Sequence, residues 1–82
     1  MYVGLGKTIV VNHMDILAIL DFREMKDATK QDAWLEHPRT RMIVDHHRVK
    51  SLIVTPFLTY ASPLSPQNLL KKMNETSRRK RL

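Results

Sequence analysis

The chain has 82 residues, a formal net charge of +6 and no cysteine, which excludes a disulfide framework and a thiolate metal site. A chain of this length forms one domain with a small core, so we expect self-association to supply part of its stability. No apolar run approaches about 18 residues and no basic, apolar leader precedes a cleavage site, so we expect a cytoplasmic protein with no membrane partner.

The N-terminal residues predict a β-hairpin. Two short apolar runs, Tyr2 to Leu5 and Thr8 to Val11, are separated by Gly6-Lys7. A two-residue connection that begins with glycine suits a type II′ turn, because glycine readily takes the positive φ that this turn requires.

A strand and then a helix are predicted next. The run Ile16 to Phe22 is almost continuously apolar, which is typical of a strand covered on both faces. Residues Arg23 to Glu36 contain good helix formers and no Gly or Pro, and the pattern stops at His37-Pro38. The segment from Asp21 to Glu36 is acidic, with five acids against three bases.

The stretch from Arg39 to Tyr60 predicts a second hairpin with a cationic tip. Two apolar runs of strand length, Met42 to Val44 and Leu52 to Val54, flank a polar segment of residues 45–50. Pro56 then ends the second strand, and residues 57–60 begin another. Four bases and one acid lie between Arg39 and Lys50, so this segment is as basic as the preceding one is acidic.

A short C-terminal helix is predicted to begin after Ser65, an N-cap residue followed by Pro66 at the first helical position. Its apolar face is predicted to contain Leu69, Leu70 and Met73. We expect residues 1–73 to form a single β-rich domain and residues 74–82 to form a basic, disordered tail. The predicted fold class is α+β, with a small antiparallel sheet of about five to six strands, one central helix and one short C-terminal helix.

The motifs give little support for catalysis. Asp45-His46-His47 matches the Asp-His-His signature of a family of metal-dependent phosphoesterases, but this chain is too short to supply the other ligands of those sites. The two histidines would reach one metal ion only from a loop, and loop histidines on a basic surface are the simpler interpretation. No serine is tied by a motif to a base. We predict a protein that is not an enzyme and has no cofactor, no metal and no small-molecule substrate.

The basic residues point to binding. The candidate DNA-binding residues are Arg48, His47, Lys50, Arg41 and Arg39, which would contact phosphates; an ordinary solvated surface explains the same charges equally well. Two or three phosphate contacts in one protomer bind duplex DNA weakly at physiological salt, so specific affinity requires several protomers acting together. A homo-oligomer is therefore expected both from core size and from DNA binding.

The whole pattern resembles the small bacterial RemA/RemB-like extracellular-matrix regulatory proteins, and the RemB-like branch most closely. The matching segments extend to about Met73 and read, in order, Met1-Tyr-Val-Gly-Leu-Gly6, Val10-Val11, Asp15-Ile-Leu-Ala-Ile19, Lys50-Ser-Leu-Ile-Val-Thr55, Tyr60-Ala-Ser-Pro-Leu-Ser65 and Leu70-Lys-Lys72.

The resemblance implies a domain similar to the LytTR type of DNA-binding fold, assembled into rings that bind double-stranded DNA through arginines and control matrix and biofilm genes. Of two adjacent family arginines, Arg48 is retained and His47 takes the other position. An earlier family arginine falls near Met14 or Asp15. We therefore expect a ring-forming DNA-binding transcriptional regulator; the alternatives are an oligomeric structural or adaptor protein that binds protein partners, and a metal-dependent hydrolase that uses Asp45, His46 and His47.

Overall fold

The computed structural model describes the backbone of residues 1–80 and the side chains of residues 1–74. This part of the chain is α+β, as predicted, and three short 3₁₀ helices (His13–Asp15, Phe22–Glu24 and His46–Arg48) interrupt its loops. The strands and α-helices are, in order, β1 (Tyr2–Gly6), β2 (Ile9–Asn12), β3 (Ala18–Asp21), α1 (Ala28–Glu36), β4 (Thr40–Met42), β5 (Ser51–Val54), β6 (Thr59–Ser62) and α2 (Pro66–Lys80). No helix in the described residues has both the length and the apolarity needed to cross a membrane.

The strands divide between two sheets, so the prediction of one antiparallel sheet is wrong. β1 and β2 form an antiparallel pair, and the other four strands form a sheet in the order β3, β5, β6, β4. In that sheet β4 runs parallel to β6, while the other neighbours are antiparallel. The number of strands in the described residues agrees with the prediction, but their arrangement does not.

The predicted hairpin between Met42 to Val44 and Leu52 to Val54 is also wrong. β5 is hydrogen-bonded to β3 on one side and to β6 on the other, which leaves no edge for β4. β4 pairs instead with the far side of β6, and Ile43 and Val44 are buried core residues outside any strand. The true hairpin joins β5 to β6 through a turn in which the backbone N–H of Thr55 donates to the carbonyl of Leu58 at 3.0 Å.

The N-terminal hairpin is confirmed with its turn displaced by one residue. Gly6 pairs with Ile9, so the connection is Lys7-Thr8, and the register shifts between Gly4 and Gly6. Gly6 does take a positive φ, of 125°. A Cβ at this position would lie 3.1 Å from the Cδ of Pro63, which is a second reason for glycine here.

The predicted strand and first helix are confirmed in type, with changed boundaries. β3 lies within the predicted strand, and α1 ends at Glu36 as predicted. The helix begins later than predicted, because the side chain of Asp27 accepts hydrogen bonds from the N–H groups of Thr29 and Lys30 and so caps the helix at that point. The residues before Asp27 form the 3₁₀ helix Phe22–Glu24.

The C-terminal helix has the predicted N-cap at Ser65, but its buried face differs from the predicted one. The N–H of Asn68 donates to the hydroxyl of Ser65 at 3.2 Å. Leu69 is fully buried and Met73 is half-buried, four residues later on the same face, whereas Leu70 is 51% exposed. α2 has 15 residues and is longer than the predicted short helix. The division between a domain and a tail stays a prediction, and Arg81 lies outside the described residues.

Two buried serines join the sheets and the C-terminal segment. Ser51 and Ser62 are paired across β5 and β6, and neither is exposed. The hydroxyl of Ser62 donates to the carbonyl of Leu5 in β1 and accepts from the N–H of Leu64 at 3.1 Å. The hydroxyl of Ser51 donates to the carbonyl of Leu64 at 2.7 Å. Through these bonds the β1–β2 pair and the connection to α2 are fixed to the centre of the larger sheet.

Replacing Ser62 with alanine should destabilise the fold by about 1–3 kcal/mol, because the carbonyl of Leu5 and the N–H of Leu64 then lose a buried partner. Urea denaturation of both proteins measures this loss. Thr8→Ala, in the exposed hairpin turn, is the control and should leave the midpoint almost unchanged. Equal midpoints for Ser62→Ala and the wild type would contradict the role given to this hydroxyl.

Candidate nucleic-acid interface

Residues 43–50 connect β4 to β5 and are held at both ends by the larger sheet. The N–H of Ile43 donates to the carbonyl of Ala61 at 3.1 Å, and the N–H of Lys50 donates to the carbonyl of Ser62 at 2.8 Å. Ile43, Val44 and Val49 are buried, so apolar side chains anchor the segment on both sides of its polar part. We call residues 45–50 the basic loop.

The centre of the basic loop is the 3₁₀ helix His46–Arg48. The N–H of Arg48 donates to the carbonyl of Asp45 at 2.8 Å, and the N–H of Val49 donates to the carbonyl of His46 at 3.3 Å. His46, His47 and Arg48 are all exposed. The loop therefore presents its polar side chains on a turn with its own backbone hydrogen bonds.

Three of the five predicted binding residues lie in this loop, namely His47, Arg48 and Lys50. They lie at the end of the larger sheet where β5 begins and β6 ends, because Lys50 bonds to Ser62. Neither Arg48 nor Lys50 forms an ion pair with another described residue. Their positive charges are thus exposed and not offset by a bonded carboxylate, as a phosphate-binding surface requires.

Arg41 and Arg39 lie elsewhere on the sheet. Arg41 is an exposed residue of the edge strand β4, opposite Tyr60 of β6. Arg39 precedes β4, at the end of the sheet away from the basic loop, and its carbonyl accepts from the N–H of Thr59 at 2.9 Å. With a strand rise of about 3.3 Å per residue, Arg39 lies roughly 13 Å along the strand from Ile43, where the loop segment begins. The structure therefore separates Arg39 from the loop residues by more than the Debye length of about 8 Å.

The structure also places residues beside His47 that sequence reasoning missed. A hollow of about 260 Å³ is lined by Phe22, Arg23, Gln31, Asp32, Leu35, His46, His47 and Val49. The rings of His46 and His47 meet edge to face, with centroids 5.3 Å apart. Asp32 belongs to the acidic segment and Arg23 lies in the 3₁₀ helix after β3, so no local pattern connects them with His47. Arg23 comes near because Asp21 pairs with Ser51 at the start of β5, and Asp32 comes near because the neighbouring side chain of Gln31 on α1 donates to the carbonyl of Phe22 at 3.2 Å.

Arg23 is the cation of an exposed ion pair. Its Nε lies 3.2 Å from Oδ1 of Asp21, and its terminal nitrogen donates to Oδ2 at 3.3 Å. The hydrogen bond from the Arg23 side chain is the main cause that lowers the pKa of Asp21 below its ordinary value. The charge of Arg23 is thus offset, and this arginine adds less to the attraction of phosphate than Arg48 does.

No three His, Cys, Asp or Glu side chains of the described residues are grouped closely enough to hold one metal ion. In the 3₁₀ helix, the rings of His46 and His47 contact each other edge to face. The alternative of a hydrolase that uses Asp45, His46 and His47 gains no support from the described residues.

No protein-family model matches the chain, and no curated protein matches it. The resemblance to RemA/RemB-like proteins therefore rests on the residues quoted for it and stays an expectation.

The Asp21–Arg23 pair predicts a stability that depends on pH. Because the pKa of Asp21 is lowered in the fold, its carboxylate stabilises the folded state above the ordinary value of 3.8, and this contribution disappears as the pH falls through the folded pKa. Asp21→Asn keeps the cap oxygen and removes the charge. Its thermal midpoint should lie below that of the wild type at about pH 7, and the difference should be smaller at about pH 2.5, where more of the wild-type carboxylate is protonated.

Asp15→Asn removes an exposed acid with no ion pair in the described residues and is the matched control. It should follow the wild type at both pH values. A constant difference between Asp21→Asn and the wild type across this range would show that the ion pair does not carry the effect.

Proposed function

We propose that this chain is a DNA-binding transcriptional regulator that acts as a ring-shaped homo-oligomer and contacts the phosphates of duplex DNA through the basic loop. One observation carries the proposal. Arg48 and Lys50 are exposed, form no ion pair with another described residue, and lie on a loop whose two ends are hydrogen-bonded to the larger sheet. An anchored loop favours binding because little backbone freedom is lost when the complex forms.

Each residue of the loop has a distinct role in this proposal. Arg48 offers a planar guanidinium that can donate two parallel hydrogen bonds to one phosphate, and Lys50 offers a point charge. His47 adds a hydrogen-bond donor beside them. Arg41, on the edge strand next to β6, is a flanking phosphate contact. Arg39 would reach a different part of the duplex.

The magnitude of the charge explains why an oligomer belongs to the proposal. Each phosphate that is neutralised contributes roughly 0.9 to the salt slope of duplex binding, so two or three contacts in one protomer give weak binding at physiological salt. Several copies that present the same loop to one duplex multiply the contacts and raise the affinity through avidity.

The resemblance supports the finer parts of the proposal. It favours a ring of RemB-like subunits, a fold related to the LytTR type, a cytoplasmic location and the control of extracellular-matrix genes. The alternative is an oligomeric structural or adaptor protein that has lost specific DNA recognition. Exposed apolar side chains favour it, since Tyr2, Met14 and Phe57 are 68%, 75% and 76% exposed.

Arg48→Ala should weaken duplex DNA binding and reduce the salt slope by about 0.9 for each protomer that engages the DNA. Binding measured by fluorescence anisotropy over a salt series gives both quantities. The control is Lys30→Ala, an exposed cation on α1 outside the basic loop, which should leave both almost unchanged. The assignment of the site would fail if Arg48→Ala bound as the wild type does, and the adaptor alternative would gain if the wild type showed no salt-dependent binding.

The C-terminal charges call for a separate test. A variant in which Arg78, Arg79, Lys80 and Arg81 are replaced by glutamine should retain salt-dependent binding with a smaller slope, because the loop cations remain. The same anisotropy titration measures it. Complete loss of binding in this variant would assign the phosphate contacts to the C-terminal residues and leave the loop without this function.

A further inference from the structure

The most exposed large apolar side chains of the described residues line one groove or lie within two residues of its lining. Tyr2, Val10 and Phe57 are 68%, 58% and 76% exposed and line a groove of about 300 Å³. Met14 and Leu17 are 75% and 66% exposed and bracket Asp15, another residue of that groove. We call these five apolar residues, Tyr2, Val10, Met14, Leu17 and Phe57, the apolar face.

The backbone holds this face in place. In the β1–β2 pair, Val3 and Val11 face the core, whereas Tyr2 and Val10 lie on the opposite side of the same strands. Phe57 lies in the β5–β6 turn, where the hydroxyl of Thr55 accepts from the N–H of Leu58 at 3.1 Å. Tyr2 and Val10 therefore belong to paired strands and Phe57 to a hydrogen-bonded turn, while Met14 lies in the 3₁₀ helix His13–Asp15 and the N–H of Leu17 donates to the carbonyl of Val54 at 2.8 Å, so docking a partner costs little backbone ordering.

The area of the face is that of a protein interface. Aromatic side chains such as Tyr2 and Phe57 each carry roughly 150–250 Å², and with the three aliphatic residues the exposed apolar area is on the order of 500–700 Å². The largest apolar patch on a typical monomer is about 300–600 Å². Each partner in a standard protein interface contributes about 800 Å². The face is thus large for a chain of 82 residues and close to what a stable dimer needs.

The chemistry of the face favours another copy of this chain over DNA. The groove has one charged side chain, Asp15, and no cation among its lining residues, so it repels phosphate. The same surface offers an exposed ring, Phe57, at the edge of a groove, and a two-fold contact requires one patch that carries both a projecting group and a site for it.

We propose that the apolar face binds the same face of a second copy of this chain, with Phe57 of each copy entering the groove of the other. This inference rests on the homo-oligomer of the proposed function and assigns a surface to one of its contacts. A two-fold contact joins two copies, so a ring requires a second, head-to-tail contact elsewhere on the chain. The β5–β6 turn lies at the end of the sheet away from the basic loop, so the contact leaves Arg48 and Lys50 exposed.

Phe57→Asp tests the contact by placing a charge at the position where the proposed dimer would bury the Phe57 ring. Sedimentation velocity of the full chain should show assembly in the wild type and a dissociation constant raised by about 30-fold or more in Phe57→Asp, as for a central interface residue. Leu70→Asp is the matched control, because Leu70 is an exposed leucine on α2 that does not line the groove. It should assemble as the wild type does. A monomeric wild type at about 100 μM, well above the micromolar range of ordinary interfaces, an unchanged Phe57→Asp, or equal loss in both variants would overturn the proposal.

Single cysteines give a second measurement that does not depend on the Asp variant folding. The chain contains no cysteine, so Val10→Cys introduces a unique thiol in the groove, and a short bismaleimide should link two copies of this variant. Thr8→Cys places the thiol in the hairpin turn, outside the groove, and should remain a single chain. Linking in Thr8→Cys and not in Val10→Cys would reject the proposed surface.

DNA titrations of the same variants separate this inference from the proposed function. If the wild type assembles through the apolar face and binds no DNA, the surface assignment stands and the regulator proposal fails. If Phe57→Asp still assembles and binds DNA in a manner that depends on Arg48, the regulator proposal stands and the surface assignment fails.

Discussion

The position of β5 decides the arrangement of the larger sheet. Its residues Ser51, Leu52 and Ile53 are completely buried, and the strand is hydrogen-bonded to β3 and to β6. With both edges of β5 occupied, β4 pairs with the far side of β6, and the chain must then cross the end of the sheet to return to β5. Residues 43–50 make that crossing. The exposed cations of the basic loop therefore lie where they do because a buried central strand needs two neighbours.

Buried polar groups then connect this sheet to the rest of the molecule. A serine pair on β5 and β6 bonds to the carbonyl of Leu5 and to the backbone of Leu64, so the small hairpin and the approach to α2 are fixed at the end of the sheet that carries the basic loop. Each buried hydroxyl has a partner, and no buried side-chain nitrogen or oxygen in the described residues lacks one. A polar junction of this kind tolerates substitution poorly, because an unpaired buried group costs more than a bond contributes.

The two proposed contacts use different ends of the same sheet. The basic loop lies where β5 begins, and the β5–β6 turn with Phe57 lies where β5 ends, about 10 Å away at 3.3 Å per strand residue. Self-association through the apolar face would leave Arg48 and Lys50 free to meet phosphate. Assembly would also raise the number of loops that reach one duplex, which matters because one loop supplies few contacts.

Local patterns in the sequence determined the N-terminal hairpin, the strand β3, the end of α1 at Glu36 and the cap at Ser65, because each depends on residues close together in the chain. They also identified Arg48 and Lys50 as exposed cations of one loop. Only the tertiary structure decided that β4 pairs with β6, that Arg39 lies away from that loop and that Asp32 lies beside His47. These outcomes depend on which distant strands pair, and residue periodicity gives the face of a strand without naming its neighbour.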